Sequence, residues 1–162
     1  MFCLLQRIVT HRYRPLILMK TINETQDEII EEFSVMDDWM DRYAYIIDLS
    51  DTLEAFPESC RTSDNLIDGC QSRVWLQADL DSDGRLRFQA DSDALIVKGI
   101  VAMLVRVLSG HTPAEVLSAD LYFIDRIGLR QHLSPTRSNG LVAMLKQIRA
   151  YAMAYREITK SN

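Results

Sequence analysis

Cys70 stands in "GCQSRVW", between Gly69 and a run that alternates like a β-strand. A thiol at such a junction can be offered to another molecule. Glycine allows an open backbone and close approach, and reactive groups concentrate on loops. The chemistry on offer is nucleophilic, and the thiolate is the form that performs it. Asp64 and Asp68, near it in sequence, work against a thiolate, so activation must come from distant residues or from a partner. The competing fate of an isolated cysteine is that of a small buried hydrophobe. Cys60 belongs to the same loop, which leaves a Cys60–Cys70 redox pair open as a second chemistry.

Other chemistry-bearing clusters fare worse. In "DLDSDG", Asp79, Asp81, Asp83 and Gly84 fit positions 1, 3, 5 and 6 of a calcium loop. The glutamate needed at position 12 is replaced by Ala90, and Arg85 and Arg87 repel a cation. An Asp/Gly hairpin turn is the better reading. His11, His111 and His132 share no ligand spacing, and no CxxC pair, Ser-His-Asp order, phosphate loop or dinucleotide fingerprint is visible. No metal and no cofactor is therefore expected.

Beyond these residues, a length of 162 residues suits one domain with a sizeable core. No apolar run reaches the roughly 18 residues of a membrane span. Three cysteines, Cys3, Cys60 and Cys70, suggest no disulfide framework, so a reducing cytoplasm is the expected compartment. A net charge of −5 does not suit nucleic acid. Residues 24–58 hold 12 acids against Arg42 alone, and residues 126–160 hold seven bases against Glu157 alone. Two faces of opposite sign would steer partners if these segments lie apart. The first 18 residues are basic and acid-free but lack an unbroken apolar core. They read as an upstream extension before a start at Met19, leaving one domain over 19–162.

The elements that must position Cys70 follow from periodicity. Thr25 to Glu28 reads as a capping box opening a short helix with Ile29, Ile30 and Phe33 on one face. A second helix is predicted from Asp37 to Leu49, then a loop over 51–69. Val74, Leu76, Ala78 and Leu80 alternate with polar neighbours, as do Leu86, Phe88 and Ala90, which predicts an antiparallel hairpin. Ser92 then caps an apolar helix, in which twelve of the fifteen residues from Ala94 to Leu108 are apolar. Thr112 to Glu115 is another capping box with proline at the first helical position. A short helix over Tyr122 to Ile127 precedes a last one from about Ser138 to Ile158, with Leu141, Met144, Leu145, Ile148, Ala152 and Tyr155 buried. The fold class is α+β, helices packed on a small antiparallel sheet.

Three segments together carry a resemblance. "GCQSRVW" (Gly69 to Trp75), "DSDALIVKG" (Asp91 to Gly99) and "LSPTRSNGL" (Leu133 to Leu141), in this order and spacing, resemble the SufE family of sulfur-acceptor proteins. "YAYIIDLSDTL" (Tyr43 to Leu53) fits as well, and the resemblance spans about residues 27–157. CsdE proteins share the layout, but "CQS" looks more like SufE. The resemblance implies a SufE/IscU-like fold and a carrier that takes persulfide sulfur from a SufS-type, PLP-dependent cysteine desulfurase, stimulates it, and passes the sulfur to a SufBCD-type scaffold where iron–sulfur clusters are assembled. It implies no cofactor of the carrier's own, and leaves a homodimer open. Cys70 maps onto the acceptor cysteine. Arg137 becomes a candidate cation near the thiol or at the desulfurase interface, Asp93 a candidate for holding the Cys70 loop, and Gln71 and Ser72 candidates for shaping it. Asp93 equally fits the first turn of a helix, and Arg137 an ordinary surface base. Trp75 and the helix Ala94–Leu108 read as core. Two rival functions stay open: a desulfurase-binding regulator that carries no sulfur, and a thiol redox protein using Cys60 and Cys70.

Overall fold

A computed structural model describes residues 19–161; the proposed extension over 1–18 lies outside the described residues. Two helices come first, α1 (Ile22–Ser34) and α2 (Trp39–Leu49). The chain offers two consecutive T-x-x-E boxes, Thr21–Glu24 and Thr25–Glu28, and α1 uses the earlier. Thr21 Oγ1 accepts from the Glu24 amide at 3.1 Å, and Glu24 Oε2 accepts from the Thr21 amide at 2.8 Å. Thr25, expected at the cap, lies inside the helix and donates its hydroxyl to the Thr21 carbonyl. The earlier start buries Ile22 and Gln26. Gln26 then ties α1 to the far end of the chain, donating to the Asp120 carbonyl at 2.9 Å and accepting from the Phe123 amide at 3.2 Å. Asp38 caps α2.

The segment predicted as loop carries three single 3-10 turns, Ser50–Thr52, Glu58–Cys60 and Ser63–Asn65. Strands β1 (Val74–Leu80) and β2 (Leu86–Ser92) pair antiparallel from Val74↔Ser92 to Leu80↔Leu86. Their apolar residues face one side because strand side chains alternate. In the turn, Asp81 Oδ1 accepts from the amides of Asp83 and Arg85, and Oδ2 pairs with Arg87. This carboxylate is consumed by the hairpin. Among the described residues no group of acids, histidines and cysteines is placed to hold a metal ion.

Helix α3 (Leu95–Leu108) buries nine of its 14 residues. Its N-cap is Ala94 rather than Ser92, although Ser92 Oγ still accepts from the Ala94 amide at 3.2 Å. At Gly99, α2 and α3 cross so closely that a Cβ would lie 1.9 Å from the Ile46 carbonyl oxygen. Helix α4 (Pro113–Ser118) opens on the Thr112–Glu115 box as predicted. The next expected helix is α5 (Phe123–Arg126), and a further turn, α6 (Leu129–His132), follows the left-handed Gly128.

Helix α7 (Pro135–Lys160) starts a turn earlier than expected. Ser134 Oγ accepts from the Arg137 amide, and Pro135 occupies the first position, where its missing N–H costs nothing. Gly140 therefore sits inside the helix and Arg137 in its first turn. Leu141, Met144, Ile148 and Ala152 are buried as expected, whereas Leu145 and Tyr155 are only partly so. Tyr151 and Tyr155 donate to the Leu76 and Ala78 carbonyls at 3.1 and 2.8 Å. They cover the strand edge that β2 leaves unpaired. Helix α2 packs chiefly on α3, α1 on α3 and α5, and α7 chiefly on α4 and α3; the acidic and basic segments also meet, Arg42 donating to the Ile127 carbonyl and Tyr43 to the His132 carbonyl. The architecture is α+β. No helix among the described residues is long and apolar enough to cross a membrane.

Candidate functional site

Cys70 does not simply end a long irregular loop. The Ile67 amide donates to the Val74 carbonyl at 2.8 Å, and Leu66 bridges Trp75 across the same base. Residues 68–73 thus form a short excursion closed at its foot, with Cys70 near its tip. Gly69, at φ +89°, turns the chain there, a conformation that side chains disfavour.

The tip leans on the first turns of α7. A Cβ on Gly69 would lie 3.5 Å from the Ala143 Cβ, and the Cys70 Sγ lies 3.6 Å from the Gly140 carbonyl oxygen, to which it donates. Gly140 and Ala143, three apart on one helical face, are the residues of α7 that face the loop tip. Cys70 is half-buried and carries a free thiol. Cys60 is buried and Cys70 is free, so the two are not bonded to each other. Burial pushes the Cys70 thiol pKa up. The acids near it in sequence, Asp64 and Asp68, are exposed, and burial rather than their charge is the cause. A protonated thiol facing a carbonyl is the resting state.

Beside the sulfur opens a cavity of about 310 Å³. Cys70, Gln71 and Ser72 form one wall, Val97, Ile100, Gly140 and Met144 the apolar floor, and Ser134, Thr136 and Arg137 the rim. Four of the five predicted site residues, Cys70, Gln71, Ser72 and Arg137, thus meet at one place. The early start of α7 brings Arg137 here, because it shares the helical face of Gly140, Leu141 and Met144 but lies beyond the packed body. Its guanidinium has no carboxylate partner among the described residues.

The fifth, Asp93, stands outside the cavity and acts on the loop's foot. The Arg73 amide donates to Asp93 Oδ1 at 3.0 Å, and the Asp93 amide donates to the Arg73 carbonyl at 3.3 Å. Ser92 Oγ donates to the same carbonyl at 2.8 Å. The Arg73 peptide is therefore held from both sides.

A further anchor was not visible in sequence. Arg61 pairs with Asp91, and its guanidinium lies 5.2 Å from the Trp75 ring centre and 5.7 Å from that of Phe56. Lys98 reaches the other Asp91 oxygen at 3.2 Å. Burial alone would raise the Asp91 pKa. The Ser92 amide, Arg61 and Lys98 outweigh it and hold the carboxyl below its usual range. Trp75, expected in the core, is half-buried on the opposite side of β1 and covered by Arg61.

Comparison with known proteins agrees with this layout. The family model described as SufE, Fe-S metabolism associated domain, matches residues 27–152. An uncharacterized SufE-like protein of Rhizobium meliloti (strain 1021) is 42% identical over 130 residues, covering 78% of this chain and 93% of that one. The solution structure of a hypothetical protein from Thermus thermophilus superposes with a TM-score of 0.68 at 21% identity, covering 82% of this chain and 96% of that one; the likeness is one of fold. With a free thiol at the mouth of a cavity and the family model spanning the domain, the chain belongs to the SufE family, whose domain is associated with iron–sulfur metabolism.

Proposed function

We propose that this protein is a cytoplasmic sulfur carrier that accepts persulfide sulfur on Cys70 from a SufS-type cysteine desulfurase, stimulates that enzyme, and passes the sulfur to a SufBCD-type scaffold. The observation that carries the reading is the position of Cys70: a free thiol on a loop tip, opening into a cavity rimmed by Arg137. It needs no cofactor of its own, since the donor enzyme supplies the PLP chemistry.

The transfer is thiol exchange. The Cys70 thiolate attacks the outer sulfur of the donor's cysteine persulfide. A new S–S bond forms at Cys70, the donor's S–S bond breaks, and the donor thiolate leaves with the electron pair. The Cys70 proton passes to solvent or to a group of the docked partner. At rest the thiol donates to Gly140 and is protonated, so attack requires Sγ to leave that carbonyl. Arg137, which lines the same cavity, is the candidate cation to favour the anionic sulfur, Asp93 holds the loop foot, and Gln71 and Ser72 shape the wall.

The test is to incubate the protein with a PLP-dependent cysteine desulfurase and cysteine, then map added sulfur by mass spectrometry. One added sulfur on the Cys70 peptide, and none in Cys70→Ser, is the expected result. Added sulfur on Cys60 with Cys70 unmodified would sink the proposal. Stimulation of the desulfurase by Cys70→Ala equal to wild type would mean a regulator that carries no sulfur.

A further inference from the structure

Gly140 occupies a place where glycine has a local cost. It lies five residues past Pro135 in the 26-residue helix α7, where alanine is the better helix former. Its φ is not in the left-handed region, so the backbone does not demand glycine. Crowding does not demand it either. Apart from its chain neighbours and the backbone of its own helix, a Cβ built there meets a single atom within 4 Å, the Cys70 Sγ at 3.6 Å, an ordinary contact distance. Gly99 is the contrast, since its Cβ would strike the Ile46 backbone. A methyl group on Gly140 would otherwise point into open cavity, of which Gly140 is a lining residue.

We infer that Gly140 is a positioning residue that keeps empty the space beside Cys70 into which a second sulfur fits. The inference rests on Cys70 carrying a persulfide, and it deepens that reading by naming what accommodates the cargo. A bonded sulfur lies about 2 Å from Sγ. Directed along the apolar floor of Val97, Ile100 and Met144, it takes the volume that a side chain at position 140 would fill. The resting thiol, which uses only the Gly140 backbone carbonyl, does not need that volume. Substitution should therefore separate two states, leaving the thiol undisturbed and expelling the persulfide toward solvent, where thiols reduce it.

The experiment loads wild type, Gly140→Ala and Gly140→Leu with inorganic polysulfide, so that no docking step intervenes. The Cys70 thiolate attacks a sulfane sulfur, one S–S bond forms and one breaks, and the shortened polysulfide leaves with the electron pair. Persulfide half-life is then followed under a fixed concentration of dithiothreitol, which releases the outer sulfur as sulfide. Iodoacetamide alkylation of the unloaded thiol is measured in parallel. The expected half-life falls about threefold in Gly140→Ala and about tenfold or more in Gly140→Leu, in step with the volume added. Alkylation of unloaded Gly140→Ala stays within about twofold of wild type, and its thermal midpoint does not fall, because alanine favours the helix. Equal half-lives in all three proteins would overturn the inference while leaving the carrier function standing. A lowered midpoint in Gly140→Ala would overturn it too, since the space would not be open. Loading by polysulfide but not by the desulfurase would instead sink the carrier function alone.

Discussion

Arg73 and Asp93 exchange two hydrogen bonds, amide to carboxylate at 3.0 Å and amide to carbonyl at 3.3 Å, and so fasten the foot of the Cys70 loop to the start of α3. Asp93 is exposed and lies outside the cavity. Its influence on Cys70 must run through the backbone it holds.

Replacing Asp93 by alanine removes the charged acceptor and keeps the amide bond. A hydrogen bond to an exposed carboxylate contributes about 1 kcal/mol, so the loop should open several-fold more often. Faster exchange of the Arg73 amide and a rise of about fivefold in Cys70 alkylation rate are the expected results. Unchanged exchange at Arg73 would show that the Ser92 and Ile67 bonds suffice.

The resting thiol should titrate late. Burial raises the Cys70 pKa, so in the folded protein alkylation should gain rate at higher pH than in the unfolded chain, which follows an ordinary cysteine. The sign for stability follows by linkage. The folded state favours the protonated thiol, so this contribution is complete below the unfolded pKa and is lost as pH rises through the folded one. Denaturation midpoints of wild type against Cys70→Ser, compared from pH 7 upward, should therefore diverge on the alkaline side only.

His111 gives the acid side. It is buried, and burial lowers its pKa despite Glu115 at 3.6 Å, with Arg85 and Arg87 also near. The unfolded chain binds the proton more readily, so stability should rise with pH up to the ordinary histidine pKa near 6.5. In His111→Gln that slope should flatten, which urea titrations at pH 5 and 7 would resolve.

Arg61 should not be replaceable by lysine. A planar guanidinium both pairs with Asp91 and lies against Trp75, and an ammonium has no flat face to stack. Arg61→Ala leaves Asp91 to Lys98 and the Ser92 amide and should cost about 2 kcal/mol, with Arg61→Lys recovering less than half in chemical denaturation. Recovery by lysine would reduce the role to simple charge pairing.

Much of this arrangement was legible in the residues themselves. The hairpin followed from strict alternation, α3 from its apolar density, and α4 from its capping box. The errors lay at helix starts, where local signals compete. Thr21 and Thr25 both open valid boxes, and the choice was made by Gln26, whose partners Asp120 and Phe123 are far away in sequence. Ser134–Pro135 is itself a start signal and outcompetes Ser138. The site was harder. Cys70 and Arg137 were marked by the family motifs, but the meeting of Gly140 with Cys70 spans 70 residues. The stacking of Arg61 on Trp75 likewise depends on the path of an aperiodic segment.

The closure between Ile67 and Val74 has a consequence for the cost of motion. A loop fastened at its foot can be treated as a separate cooperative unit, with an opening free energy set by a handful of contacts at Gly69, Cys70 and Arg73. The strands and α3 need not loosen for the tip to swing. Cys70 can thus move outward against a small, local penalty while the domain keeps its full resistance to unfolding.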